Sequence, residues 1–303
     1  MDQMSTIEFG KELGRVGPRW VLIRLTPTCA AALTPLCHNC PTPRGDAGGV
    51  IFAIGPGVTE HKLGNRVCVG TALSFDLTGC YAEKVKRRAS EVLPLPAAVS
   101  FAQAATFGVS YPTAHYALFE RGKARAGETV FIHGASGSVG TSAIQLAKRA
   151  GMTVIGSAGT LKGLELVLTE GADHAVSHTE AGYIKVVRRL TGGNGPELIL
   201  EMLANANLAA DLDLAAKYGR IIVIGNRGEI TINPRVAMMK ELDIRGIALW
   251  NATAAQMELT CGTSWPVPQR DHCARLSAER CRCQKPRRRT LLYWSTALAE
   301  RLY

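Results

Sequence analysis

The residues with the most chemical content in this 303-residue chain form the run His133-Gly134-Ala135-Ser136-Gly137-Ser138-Val139-Gly140. Its three glycines make a GxGxxG-like turn, and the chemistry that suits such a turn is phosphate binding. Gly134 permits a tight exit from a preceding strand, and Gly137 lets main-chain N–H groups approach a diphosphate. Gly140 lets a following helix pack closely on the sheet. The helix N-terminus adds unpaired amides and the positive end of its dipole, which offset the diphosphate charge. A glycine turn without any ligand is the plainer reading of the motif by itself, so its flanking elements decide.

A strand at 129–133 (TVFIH) leads into the turn and a helix at 139–150 leaves it. The helix places Val139, Ile144, Leu146 and Ala147 on one face and Lys148 and Arg149 in its last turn, and Gly151 stops it. Alternation of short β-branched runs with helical periodicity continues to residue 249, the pattern of βαβ units over a parallel sheet. Further strands are expected at 153–157, 174–177, 197–202, 220–225 and 243–249, with helices at 162–170, 181–190 and 206–217. Six strands make a doubly wound, Rossmann-type α/β domain spanning 127–250. An NAD site usually carries an acid about 20 residues after the glycine turn. Here the stretch is Gly156-Ser157-Ala158-Gly159-Thr160-Leu161-Lys162, without a carboxylate, which favours NADPH over NADH. Lys162 suits a 2′-phosphate, and equally a solvated lysine at a helix start.

Residues 45–126 hold short alternating strands among glycines and prolines, and suggest a smaller β-rich domain. Residues 1–44 and 251–303 show no sustained period, and no well-formed element is expected in either. With 47% hydrophobic residues the chain can bury two moderate cores. No run approaches the roughly 20 apolar residues of a membrane span, and the start lacks the features of a secretory signal, so a cytoplasmic protein is expected. Nine irregularly spaced cysteines then fit reduced thiols, with Cys68 and Cys80 simply packed. The net charge of +10 invites a nucleic-acid reading, but from Ser264 onward nine Lys/Arg stand against three acids, so over half the excess lies in the tail.

Several phrases in order carry a family resemblance: GGVIFAIGPGV, LGNRV, GCYAEKV, TAHYAL, HGASGSVG, SAGT, EMLANANL, GRIIVIGNRGEITINPR and IRGIAL. From about Gly45 to Trp250 the chain resembles the zinc-independent quinone oxidoreductases, the zeta-crystallin family of the medium-chain dehydrogenase/reductase superfamily. The resemblance implies a GroES-like domain joined to a Rossmann domain, NADPH in the cleft between them, and reduction of a quinone. It implies diphosphate contacts at Ser136, Gly137, Ser138 and Val139, and a 2′-phosphate side at Gly159, with Lys162 added. His178 and Asn207 would flank the adenosine half. The nicotinamide would lie against Ile224, Gly225, Asn226, Arg227, Ile247, Ala248 and Leu249, and Thr113 would line the cleft. It also implies a homodimer or tetramer, paired through the sheet edge at 244–249.

Zinc-dependent relatives need a Cys, a His in a GHE segment and a later Cys around an open position. The matching segment here is Gly45-Asp46-Ala47, and Cys37-His38-Asn39-Cys40 is a single CxxC, so no metal is expected. No carboxylate–His or Ser–His pair stands at a useful spacing, so no general acid or base is assigned. This suits a quinone, which accepts hydride with the protein supplying mainly orientation.

The two ends depart from the family. Residues 1–44 lack its opening strands and NPVxxY-like tyrosine, leaving the GroES-like part incomplete, and residues 251–303 lack its closing strand. Both read as sequence not selected for this fold, as a retained intron or frameshift would give, with impaired activity as a consequence. Two other functions stay open: AU-rich RNA binding, known for some members and favoured only by the basic KPRRR run, and a structural, crystallin-like role that needs only nucleotide binding and stability.

Overall fold

Short β-branched runs build the first sheet of the computed structural model, which describes residues 19–25, 46–70, 80, 83–253, 255–257 and 260. Strands β1 (Trp20–Leu25), β2 (Ala47–Ile54), β3 (Arg66–Val69), β4 (Lys84–Arg88) and β5 (Val92–Pro94) pair antiparallel in the order β4-β1-β2-β3-β5. In β4, Lys-Val-Lys-Arg-Arg alternates exposed and buried, the period of a half-buried strand. Val21, Ile23, Ile51, Val67, Val69, Val85 and Val92 form its core. A short helix, α1 (Phe101–Ala104), starts with a capping box: Ser100 Oγ accepts from Gln103 N–H at 3.2 Å, and Gln103 Oε1 accepts from Ser100 N–H at 2.8 Å. This antiparallel β-rich part matches the GroES-like expectation.

Strand β1 corrects the expectation that 1–44 holds no well-formed element. Trp20-Val21-Leu22-Ile23-Arg24-Leu25 pairs with both β2 and β4. Its apolar run is short, and the chain around it is rich in Pro and Thr, which hid it. Cys68 and Cys80 are buried free thiols, as expected.

The chain divides after Thr106, not at 126/127 as the sequence suggested. Helix α2 (Phe107–His115), continued by a π-helical turn at Tyr116–Arg121, shares a core with the second unit, not the first. Phe107, Tyr111, Ala114 and Leu118 pack with Val130, Ile144 and Leu198.

The second unit alternates strand and helix as anticipated. Its strands are β6 (Thr129–Ile132), β7 (Thr153–Ala158), β8 (His174–Ser177), β9 (Leu198–Glu201), β10 (Arg220–Val223) and β11 (Asp243–Gly246). They lie parallel in the order β11-β10-β9-β6-β7-β8, the doubly wound arrangement. The helices are α3 (Ser138–Arg149), α4 (Leu161–Thr169), α5 (Tyr183–Leu190), α6 (Ala204–Leu214) and α7 (Pro234–Lys240). Successive strand residues serve opposite faces. Val130, Ile132, Leu198 and Leu200 enter one core, and Phe131, Ile199 and Ile221 enter the other.

Helix α7 was absent from the sequence reading, although Asn233-Pro234 is a helix-start signature and Asn233 Oδ1 accepts from Arg235 N–H at 3.1 Å. Helix α6 stops at Leu214, short of the expected 217. Lys240 Nζ, on the last residue of α7, donates to the carbonyls of Leu212, Asp213 and Ala215 at 3.1, 2.5 and 2.9 Å and so closes its C-terminus. Strand β11 ends at Gly246, so Ile247, Ala248 and Leu249 follow the strand rather than belonging to it.

Phe131 is fully buried at the centre of the sheet. Phe131→Ala is expected to destabilise the second unit by about 3–5 kcal/mol, measured by urea unfolding.

Candidate functional site

In this strand order β6 has β7 on one side and β9 on the other, and the crossovers run away from each other. The crevice this leaves at the carboxyl ends of β6 and β9 is where such sheets bind ligands. The 134–140 turn lies there. Gly134 has φ +56°, which L side chains rarely adopt, and Ala135 N–H donates to Ser157 O on β7 at 2.7 Å. Gly137 is the N-cap of α3, and no side chain caps the helix. The first-turn amides of this 12-residue helix are thus available to an anion. At Gly140 a Cβ would stand 2.6 Å from the Ala135 backbone, so the close approach of helix to turn needs glycine. A Cβ on Gly137 would meet only Gly134 O, at 3.2 Å.

At the end of β7, Thr160 Oγ1 caps α4 by accepting from Gly163 N–H at 3.0 Å. Lys162 is exposed on the first turn of that helix. Gly159 and His178 come together: a Cβ on Gly159 would lie 2.7 Å from His178 Nε2, and His178 N–H donates to Ala158 O. Ser136 lies beside the start of α4, its Oγ 3.3 Å from a Cβ built on Gly163.

The turns after β9 and β10 are bound to each other. Ala204 N–H donates to Gly225 O at 3.0 Å, and Arg227 N–H to Asn205 Oδ1 at 2.9 Å. Gly225 has no room for a side chain, because a Cβ would sit 2.4 Å from Met202 O. Asn226 Nδ2 donates to Gly228 O, and Ile247 N–H donates to Val223 O. Ile224 and Ile247 pack on the core, and Leu249 is buried. The amide of Asn207 points to Glu201, at 3.1 Å, so this residue belongs to a buried polar network. Thr113 is buried within α2, the helix packed against α3.

That network was missed in the sequence, where no carboxylate–His pair was expected. His133 Nε2 lies 2.8 Å from Asp211 Oδ1 and 3.3 Å from Glu201 Oε2, and all three residues are buried. The pair is 78 positions apart in the chain, joined only by the parallel pairing of β6 with β9 and by α6 above them. The available signal was the polar residue ending each of two strands whose pattern calls for apolar ones. Burial pushes the Glu201 and Asp211 carboxyls up to about 7 and holds the His133 imidazole below its ordinary value. Among the described residues, these three bring potential metal-ligand atoms within 4.8 Å of one another. Cys37, His38, Cys40 and the basic run at 285–289 lie outside the described residues.

Residues 138–261 match a family model described as zinc-binding dehydrogenase. The ligand histidine of that family's zinc members has no equivalent at Gly45-Asp46-Ala47, so zinc does not fit there. The chain is 43% identical over 222 residues to the quinone oxidoreductase of Rattus norvegicus, covering 73% of this chain and 66% of the relative. It is 41% identical over 217 residues to the quinone oxidoreductase of Homo sapiens, covering 72% and 65%. The chain therefore spans just under two thirds of the length of these relatives. Among solved structures, the Escherichia coli quinone oxidoreductase complexed with NADPH has the same fold, with a TM-score of 0.67 and 22% identity over 87% of this chain and 82% of that one.

The buried triad makes stability depend on pH. For Glu201 and Asp211, whose folded pKa values lie above the ordinary 4.5 and 3.8, the stabilisation is complete in the acid range and is lost as the pH rises through about 7. His133 acts in the opposite sense, removing stability only as the pH falls below its ordinary 6.5. The melting temperature of the wild type is expected to fall as the pH rises from about 4.5 to about 7 and to level off above that, and Glu201→Gln to flatten that fall. A thermal-shift series across pH checks this.

Proposed function

Because the chain belongs to the quinone oxidoreductase family across the 222 residues it shares with the rat protein, we propose that it is an NADPH-dependent quinone reductase. The observation that carries this reading is the uncapped N-terminus of α3 behind Gly134, Gly137 and Gly140, a cradle for a diphosphate. Gly140 and Gly225 admit no side chain, which keeps backbone rather than side chains at the carboxyl edge of the sheet. In this reading Ser136, Gly137, Ser138 and Val139 hold the diphosphate, and Gly159, Lys162 and His178 face the adenosine end. The absence of an acid after β7 favours the 2′-phosphate over a free 2′-hydroxyl. Asn207 joins His178 at the adenosine half, and the 224–227 turn, with Ile247, Ala248, Leu249 and Thr113, surrounds the nicotinamide half. When bound, the reduced nicotinamide supplies a hydride. The residues of this chain then orient it and exclude water, and an electrophilic quinone needs no more than that.

The same reading takes the protein to be a cytoplasmic homo-oligomer. Among the described residues no helix is long and apolar enough to cross a membrane. Strand β11 is an open sheet edge with Ile244 exposed beside Met238 and Met239, a surface suited to pairing with a second copy.

NADPH is expected to bind at least about tenfold more tightly than NADH, a difference of roughly 1.4 kcal/mol, and to be oxidised in the presence of 9,10-phenanthrenequinone. Gly137→Val, at an ordinary extended conformation but with its Cβ pressed to 3.2 Å from Gly134 O, should weaken NADPH binding about tenfold or more. Equal affinity for the two nucleotides, or bound NADPH left unoxidised with the quinone present, would count against the proposal.

A further inference from the structure

Glu201 gives both its main-chain oxygen and its Oε1 to donors at the edge where the nucleotide is proposed to lie. Its main-chain oxygen accepts from Ile224 N–H at 2.8 Å and Gly225 N–H at 3.3 Å. Its Oε1 accepts from Leu203 N–H and from Asn207 Nδ2. Its Oε2 faces His133, the residue immediately before Gly134. Asp211, one helical turn beyond Asn207 on α6, approaches the same ring nitrogen, Nε2, at 2.8 Å. The fully buried side chain therefore joins the end of β6 to the 202–207 turn, while the main-chain oxygen of the same residue takes up the 224–227 turn. Neutral acceptors could hold the same bonds without the desolvation penalty of a carboxylate, so the charge itself calls for a reason.

We propose that Glu201 is a positioning residue for the nucleotide: with His133 and Asp211 its carboxylate fixes the 202–207 turn at the end of β6, and its charge makes nucleotide affinity fall as pH rises. This rests on the reading of the 134–140 turn as the diphosphate site. The titratable groups facing Glu201 are His133 just past β6, Asp211 from α6 and Tyr183 from the start of α5, whose phenol is held neutral by burial first and then by the two carboxylates. An ionised carboxylate behind the turn repels an anionic diphosphate. Binding therefore favours the protonated triad and draws a proton from solvent. Neither acid needs to touch the nucleotide for this.

The test uses the whole chain as wild type, Glu201→Gln and Glu201→Ala. Calorimetric titration with NADPH, and with NADH to exclude titration of the 2′-phosphate, in two buffers of different ionisation enthalpy measures proton uptake. The wild type is expected to take up a fraction of a proton near pH 7 and to lose about threefold to tenfold in affinity from pH 6 to 8. Glu201→Gln, which mimics the protonated acid, should keep the acid-side affinity and lose both the pH dependence and the proton uptake. Glu201→Ala should bind about tenfold more weakly at every pH, with faster amide exchange at Leu203, whose acceptor is the lost carboxylate. A wild-type pH profile in Glu201→Gln, or unchanged exchange in Glu201→Ala, overturns the proposal. Amide exchange is read without nucleotide, so a wild type that binds neither NADPH nor NADH refutes the cofactor reading while the positioning claim is still decided.

Discussion

A parallel sheet directs all its strands' carboxyl ends to one side, and each end must hand its last unpaired groups to something else. In the second unit this constraint falls hardest on β6 and β9, the neighbours from which the sheet winds both ways. Strand β6 meets it with a glycine turn that leads into the uncapped first turn of α3. Strand β9 meets it with Glu201, whose carboxylate turns back inward to the donors of its own turn and whose carbonyl takes those of the next. The two solutions are complementary, since an anion-binding edge requires that the amides stay available and the carbonyls be used elsewhere. The helices, the opposed cores and the lack of side chains at Gly140 and Gly225 keep these two strand ends in register.

Much of this arrangement is legible in the residues, because the helical and strand periods are strong between 129 and 249. Every expected strand there exists, and most boundaries move by only one to three residues. The larger misses have specific causes. The C-terminus of α6 is set by a lysine 26 positions further on, a contact no local window contains. Strand β1 is short and isolated, and becomes a strand only because β2 and β4 lie on both sides of it. Domain membership of α2 depends on which core takes Phe107 and Leu118, and composition is silent on that.

The candidate site divides along the same line. Glycines that respond to local geometry, at 134, 137 and 140, announce themselves in a single stretch. The His133–Glu201–Asp211 triad does not, because its members come from two strands and a helix and meet only after the sheet has formed. Asn207 shows how the two kinds of information combine. The resemblance assigns it to the nucleotide, and the geometry ties its amide to the acid that organises the turn. Such a residue can serve the ligand by holding the turn in place.

The ammonium group of Lys240 has a consequence for how the chain comes to be folded as it is made. It closes the helix that carries Asn207 and Asp211, yet it belongs to the element that precedes the final strand. Until the ribosome has released residue 240, three carbonyls at the end of α6 lack their partner, and the carboxyl edge of β9 has only a frayed helix above it. The glycine turn is synthesised about a hundred residues earlier. Any nascent chain that stops short of residue 240 therefore carries the glycine turn but leaves the end of α6 open.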